Sequence, residues 1–269
     1  MKLSNIFSRR NRILLRELVI TDFKMRYQGS VLGYAWSLLK PLFLFAIMYV
    51  VFGLMIKIGS VEHYSVYLLL GIVLWTFFAE ATNQGMGSII NRGDLLRKIS
   101  FPKYIIVLST TISALINLTL NLLIVAVLML INGVSLHWSA LLLPIYIFEI
   151  YLLALGLAFY LSALNVKYRD TIHIWEIIMQ AAFYATPIIY PLSIVVAKSG
   201  AIAKLLLMNP VAQAIQDARY VLITKESITV STIFNNGIYN LIPFAITIVI
   251  FIAGTLYFKR HSKYFAEMI

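Results

Sequence analysis

The sequence predicts an all-α integral membrane protein, with six transmembrane helices, an amphipathic interface helix ahead of them and short re-entrant or external helices before the last span. Three observations point there. Of the 269 residues 61% are apolar and 12% charged, with mean hydropathy +0.88, a balance that no water-facing surface of ordinary size supplies. The apolar runs far exceed the roughly 10 residues of a barrel strand, and because hydrocarbon offers loose peptide groups no partner, helices are the way across. The positive charge is also lopsided, since 17 of the 22 Lys and Arg fall on one side of six such runs.

Taken in order, residues 1–30 read as a basic interface helix, in which Leu14, Leu18 and Met25 share a face while Glu17, Asp22, Lys24 and Arg26 supply charge. Asp22 intrudes beside that apolar face. Spans are expected at 31–56, 64–89, 104–131, 138–164, 172–191 and 238–258, each near the ~20 residues that cross ~30 Å of hydrocarbon. Residues 192–237 lie between the last two. There, and just ahead, Pro187, Pro191 and Pro210 interrupt pieces such as 202–208 and 211–223 that are too short to span, so they read as shallow or re-entrant helices capping a pathway. Residues 259–269 form a short tail. The chain reads as one transmembrane domain, with the start of the chain retained because no cleavage site follows the basic segment.

The cation-rich side comprises the N-terminal segment, Lys40, the 90–103 and 165–170 loops and the tail. By the positive-inside rule both termini are therefore expected in the cytoplasm, which an even number of spans satisfies. The formal charge of +11 then reflects topology and not nucleic-acid binding. With no cysteine, disulfides and thiolate metal sites are excluded.

Little in the chain carries catalysis. No Gly-Lys pair occurs, so there is no phosphate-cradling loop, and nucleotide-driven transport would need an ATPase on another polypeptide. Two loops qualify to receive one. Residues 91–103 read as a short amphipathic helix, with Leu95, Leu96 and Ile99 on one side, Asp94, Arg97 and Lys98 supplying charge, and Pro102 ending it; the other is the charged turn Lys167, Tyr168, Arg169 and Asp170. Each could equally be a topological anchor with snorkelling cations. Glu80 and Glu149 are the mid-span carboxylates and have two readings, as coupling groups of an ion-driven carrier or as partners of nearby polar groups. Asn117 and Asn121, one turn apart, read as helix-joining residues. His173 and Glu176 have ligand-like spacing without a third ligand, so no metal is expected. Among the many aromatics, a subset facing a cavity would suit sugar rings.

Residues 17–41 resemble the start of ABC-type polysaccharide export permeases, the membrane subunits that export lipid-linked O-antigen, capsule or teichoic acid chains. Asp22, Arg26, Tyr27, Ser30, Leu32, Gly33, Trp36 and Pro41 match that family's pattern. Asn165 to Asp170 and the Pro187, Tyr190, Pro191, Asn209, Pro210, Arg219 pattern are similar to it as well. The resemblance implies that residues 91–103 are a coupling helix for a separate ATPase and that 165–170 is a secondary contact. It also implies two copies of this chain beside two ATPase subunits, in a bacterial inner membrane, with a channel along the first and fifth spans. ATP and Mg would bind the partner, and no cofactor this chain. The cargo would be a polyprenyl-diphosphate-linked polymer, with Arg26, Tyr34, Trp36, Lys40, Tyr49, Trp175 and Tyr184 as candidates to line its path among membrane lipids.

Overall fold

The computed structural model describes residues 8–27, 29–57 and 61–268, apart from the side chains of 26, 27, 266 and 267. All regular elements among them are helices. The first, α1 (Arg9–Tyr27), lies against the start of α5 (Tyr104–Ile131) through Leu18 and, less deeply, Leu14 and Leu15. Asp22, which marred its apolar face on paper, is the anchor of that face. Its carboxylate pairs with Arg92 and accepts a 2.8 Å hydrogen bond from Ser109 Oγ of α5. The turn into the first span uses Gly29 and Gly33 at φ +78° and +51°, backbone that side chains rarely adopt.

That span is α2 (Ala35–Met48) continued by a π-helical stretch, Tyr49–Met55, and it starts four residues later than expected. The following helix, α3 (Tyr64–Asn91), is the centre of the molecule: α2, α5, α6 (Leu143–Lys167), α7 (Thr171–Ala185) and α10 (Pro210–Leu222) all pack on it, and nearly every residue from Val66 to Phe78 is buried. A lipid-facing helix would present one greasy side, so burial all round marks α3 as a core helix. The six-residue α4 (Gly93–Lys98) links it to α5.

Five helices are long and apolar enough to cross a membrane: Ala35–Met55, Tyr64–Asn91, Tyr104–Ile131, Trp138–Lys167 and Gly237–Tyr264. The run expected at 172–191 differs. Its helix α7 has 15 residues and rises about 22 Å, less than the ~30 Å of hydrocarbon. Pro187 disfavours helical backbone at the residue before it, and Thr186 is accordingly extended (φ −83°, ψ 137°). Non-helical backbone completes the path: Thr186, Ile188 and Ile189 are buried, and the Ile189 carbonyl accepts a 2.7 Å bond from Tyr64 Oη at the first residue of α3. Such backbone is stable in a membrane only when protein satisfies it, as here.

The segment between α7 and the last span holds α8 (Leu192–Lys198), α9 (Gly200–Leu207), α10 and α11 (Val230–Phe234). Helices α8, α9 and α11 form a small cluster of their own around Leu192, Ala203, Leu207 and Val230. The fourth, α10, is a wedge in the core, buried along almost its whole length against α6, α3 and α12 (Leu241–His261). Asn209 Oδ1 caps it by accepting from Val211 N at 3.0 Å, with Pro210 in the first turn where its missing donor costs nothing.

The last span packs on α6 at a crossing made by two glycines. A Cβ on Gly254 would stand 2.0 Å from the Gly156 carbonyl oxygen, and one on Gly156 would stand 2.5 Å from Phe251 Cα. In lipid, where apolar burial gives little drive for helices to associate, such backbone approach supplies the dispersion contact. Behind α12, α13 (Phe265–Met268) tucks Phe265 under α6 and α4, and Lys103 donates to the Ser262 carbonyl. The start of α1, α13, the 92–103 loop and the end of α6 therefore share one end of the bundle. Gly254→Val should lower the thermal midpoint of the detergent-solubilised chain by an amount equivalent to at least about 2 kcal/mol. Gly200→Ala, where an added Cβ meets nothing within 4 Å, should leave it within a degree.

Candidate transport groove and loop surface

Along the bundle, between α2, α3 and α5, runs a groove of about 440 Å³ lined by Ser30, Trp36, Ser37, Lys40, Pro41, Thr76, Gln84 and Asn117. Its floor is polar at a level where the helix exteriors are otherwise apolar. Asn117, midway along α5, donates to Glu80 Oε2 at 2.7 Å, and Gln84 donates to Glu80 Oε1 at 3.3 Å. Glu80 is thus fixed by neighbours, the second of its two readings. Asn121 donates to the carbonyls of Ser37 (3.3 Å) and Asn117 (2.9 Å), tying α2 to α5 beneath the groove. Lys40 reaches the groove exposed, with no carboxylate in ion-pair distance among the described residues.

Of the residues singled out for a path, the groove gathers Trp36 and Lys40. Tyr49 lies farther along in a ladder of stacked rings: Phe45 to Tyr49 at 5.6 Å, Tyr49 to Tyr64 at 6.5 Å and Tyr64 to Tyr67 at 6.2 Å between centroids. Tyr34 stacks on Phe23 at 5.0 Å and fastens α1 to the start of the first span. Trp175 packs against the core from α7, and Tyr184 stands exposed on the same helix. The Arg26 side chain lies outside the described residues. Thr76 and Gln84 on the groove's walls escaped the sequence reading, and Asn117 was read there as a helix-joining residue, because nothing in a single span says which way its polar residues face.

At the end carrying the start of α1 and α13, Asp94, Arg97 and Lys98 of α4 are exposed, Leu95 is half-buried and Leu96 is packed against Leu18, Ile89 and Ile105. Ile99 departs from expectation. The helix stops at Lys98, well before Pro102, and Ile99 is extended (φ −133°) and 45% exposed, so it leaves the face it was assigned to. The second loop matches its reading as a charged turn, with Lys167, Tyr168, Arg169 and Asp170 all exposed and Lys167 Nζ 4.8 Å from the Tyr168 ring centroid. His173 and Glu176 are exposed on α7, and no group of three or more metal-ligand side chains exists among the described residues.

Two buried polar clusters lie away from the groove. Arg219 on α10 is wholly buried without an acidic partner among the described residues. Its guanidinium donates to the carbonyls of Tyr67 (3.1 Å), Pro187 (2.6 Å) and Ile188 (2.7 Å) and to Gln216 Oε1 (2.9 Å), and lies 3.5 Å from the Tyr67 ring centroid. A flat fork with five donors suits this; an ammonium would not reach so many oxygens. The cavity for it exists because residue 71 is glycine, where a Cβ would stand 2.3 Å from Arg219 Nη2. On another side of α10, Gln213 donates to Asp217, and Glu149 of α6 faces the same pair. Sequence spacing pointed to Glu149 alone.

The sequence matches the ABC-2 type transporter family over residues 13–223. Curated relatives include an O-antigen export system permease protein, RfbA, of Myxococcus xanthus, 32% identical over 199 residues that cover 74% of this chain and 76% of the relative. Two Klebsiella pneumoniae proteins of the same name are 27% and 26% identical over 260 residues, covering 94% of each chain.

The Asp217 cluster yields a pH test. Burial pushes the Asp217 carboxyl from 3.8 up to about 6, against the Gln213 hydrogen bond, with Glu149 and Tyr146 the titratable groups facing it from α6. The folded chain then binds this proton more tightly than the unfolded one, so the associated stability is complete below pH 3.8 and is lost as the pH rises through 6. Asp217→Asn should raise the thermal midpoint at pH 7.5, by on the order of 2 kcal/mol, and leave it nearly unchanged at pH 4. With five helices suited to cross a bilayer and a family match over most of its length, the chain is a multi-pass membrane protein that belongs to the ABC-2 type transporter family.

Proposed function

We propose that this chain is the transmembrane permease subunit of an ATP-driven exporter that moves a lipid-linked polysaccharide, O-antigen-like or teichoic acid-like, across a bacterial inner membrane. The observation that carries the reading is the family match together with relatives named O-antigen export permeases along 94% of this chain. The lipid would be a polyprenyl diphosphate, and the groove at α2 offers it chemistry: the Lys40 ammonium for the diphosphate, the Trp36 ring for sugar faces, and the amides of Gln84 and Asn117 for hydroxyls.

Six crossings follow if α7 and its buried turn count as one, with both termini in the cytoplasm as the placement of Lys and Arg favours. Helices α2 and α7, both packed on α3, leave much of their surface uncovered, which suits a second copy of the chain completing the channel. ATP and Mg would reside on two separate ATPase subunits docked at α4, with residues 167–170 a further contact. A push on residues 94–100 would pass through packed Leu96 and the Arg92–Asp22 pair to α1, and through the glycine turn to α2 and the groove. The rival reading, an ion-coupled carrier or lipid flippase working without an ATPase partner through Glu80 and Glu149, finds Glu80 held by two amides and Glu149 sealed against α10.

Arg97→Glu with Lys98→Glu should cut ATP-dependent translocation by proteoliposomes holding both subunits at least tenfold and weaken co-purification of the ATPase. Glu80→Gln with Glu149→Gln should keep transport within about threefold. The opposite pattern, with transport lost on neutralising the carboxylates and retained on reversing the loop, would assign the chain to the carrier class.

A further inference from the structure

Helix α1 has a second face, turned away from Asp22 and Leu18. Arg9, Arg12 and Arg16 recur there at spacings of three and four, so they form one row along the helix. They line a groove of about 650 Å³ between α1 and α5, whose other walls include Ile13, Ile20 and Ile112. None of the three arginines has an acidic partner among the described residues: Asp22 is engaged by Arg92, and Arg10 points elsewhere, toward the Ser100 carbonyl at 3.5 Å. Ile13 is 55% exposed directly beside the row. The groove therefore joins a strip of unpaired cations to a strip of uncovered hydrocarbon, at the bundle end where the spans emerge.

We propose that this groove holds an anionic glycerophospholipid of the surrounding leaflet, its phosphate on Arg12 and Arg16 with Arg9 nearby, and the upper part of an acyl chain against Ile13, Ile20 and Ile112. Both strips are then satisfied by one molecule. A polyanion such as RNA or an acidic peptide would pair the arginines and leave the isoleucines facing water. Guanidinium forks bind phosphate oxygens in pairs, and an interfacial helix with cations on its polar side gains from each anionic headgroup it meets. The site is distinct from the Lys40 groove, and its occupancy does not depend on what the chain transports. It also has a route to the loops, because the opposite face of the same helix carries Asp22 and its bond to Arg92 beside α4.

The test uses the full chain in mild detergent, with lipid binding followed by native mass spectrometry and thermal shift. Phosphatidylglycerol should bind at least tenfold more tightly than phosphatidylcholine, and Arg12→Gln with Arg16→Gln should reduce that preference to threefold or less. Arg12→Lys with Arg16→Lys should largely retain it, which separates lost charge from lost folding, and Lys259→Gln with Arg260→Gln, in a separate basic pocket at the end of α12, should leave it unaltered. Free glycerol phosphate should stabilise the chain far less than the intact lipid, because it lacks the acyl half. A wild-type chain without preference, a double Gln variant that keeps it, or an RNA oligomer or acidic peptide that competes equally with the lipid would overturn the proposal.

Discussion

Hydrocarbon satisfies no polar group, so every charge and peptide group at membrane depth in this chain needs a protein partner or an opening to water. Arg219 shows how strict this is. Its guanidinium answers three carbonyls, two of which belong to the non-helical turn after α7, and that turn is tolerable in the membrane because Arg219 and Tyr64 occupy its oxygens. The short α7, the wedge α10 and the glycine at position 71 follow from the same need. Removing one partner would strand the others, so these parts stand or fall together.

The same constraint separates framework from function. Asp22, Glu80 and Arg219 are bonded to neighbours and join α1 to α5, α3 to α5 and α10 to α3, while Glu149 is buried where α6 faces Gln213 and Asp217 of α10. Lys40, with the hydroxyl and amide groups beside it, remains open in a groove, and the α4 and 167–170 cations remain open at one end. A transporter moved from outside needs a wet path and a handle, and on the proposed reading these are the two.

Much of this was legible in the sequence, for identifiable reasons. Span boundaries at 64–89 and 104–131 agree with the helices to within two residues, because long apolar runs set them and lipid enforces them. The run at 172–191 read as one continuous helix, where the structure has α7 and a non-helical turn, because hydropathy sums over a proline without registering that the helix must end before it. Helix α10 read as a shallow or re-entrant piece because prolines bound a run too short to span; length does not show that Gln216 and Arg219 meet Tyr67 of α3, or that Gln213 and Asp217, bonded to each other, face Glu149 of α6. Similarly, Asp22 looked like a flaw in an amphipathic pattern, since its partner Arg92 lies 70 positions away. The groove combines residues of three helices, and only Trp36 and Lys40 of its lining were named beforehand as path candidates, through a local resemblance.

The central claim is that the groove beside α2 is wet while the rest of the spanning surface is not. The chain contains no cysteine, so single cysteines at Trp36, Thr76 and Gln84, and at the lipid-facing positions Leu123 and Val127, report separately on each surface. A charged, membrane-impermeant thiol reagent applied to inverted vesicles should modify the groove positions at least tenfold faster than the other two. Equal and slow modification at all five would mean that the groove is closed to water, and the account of the transport path would be wrong.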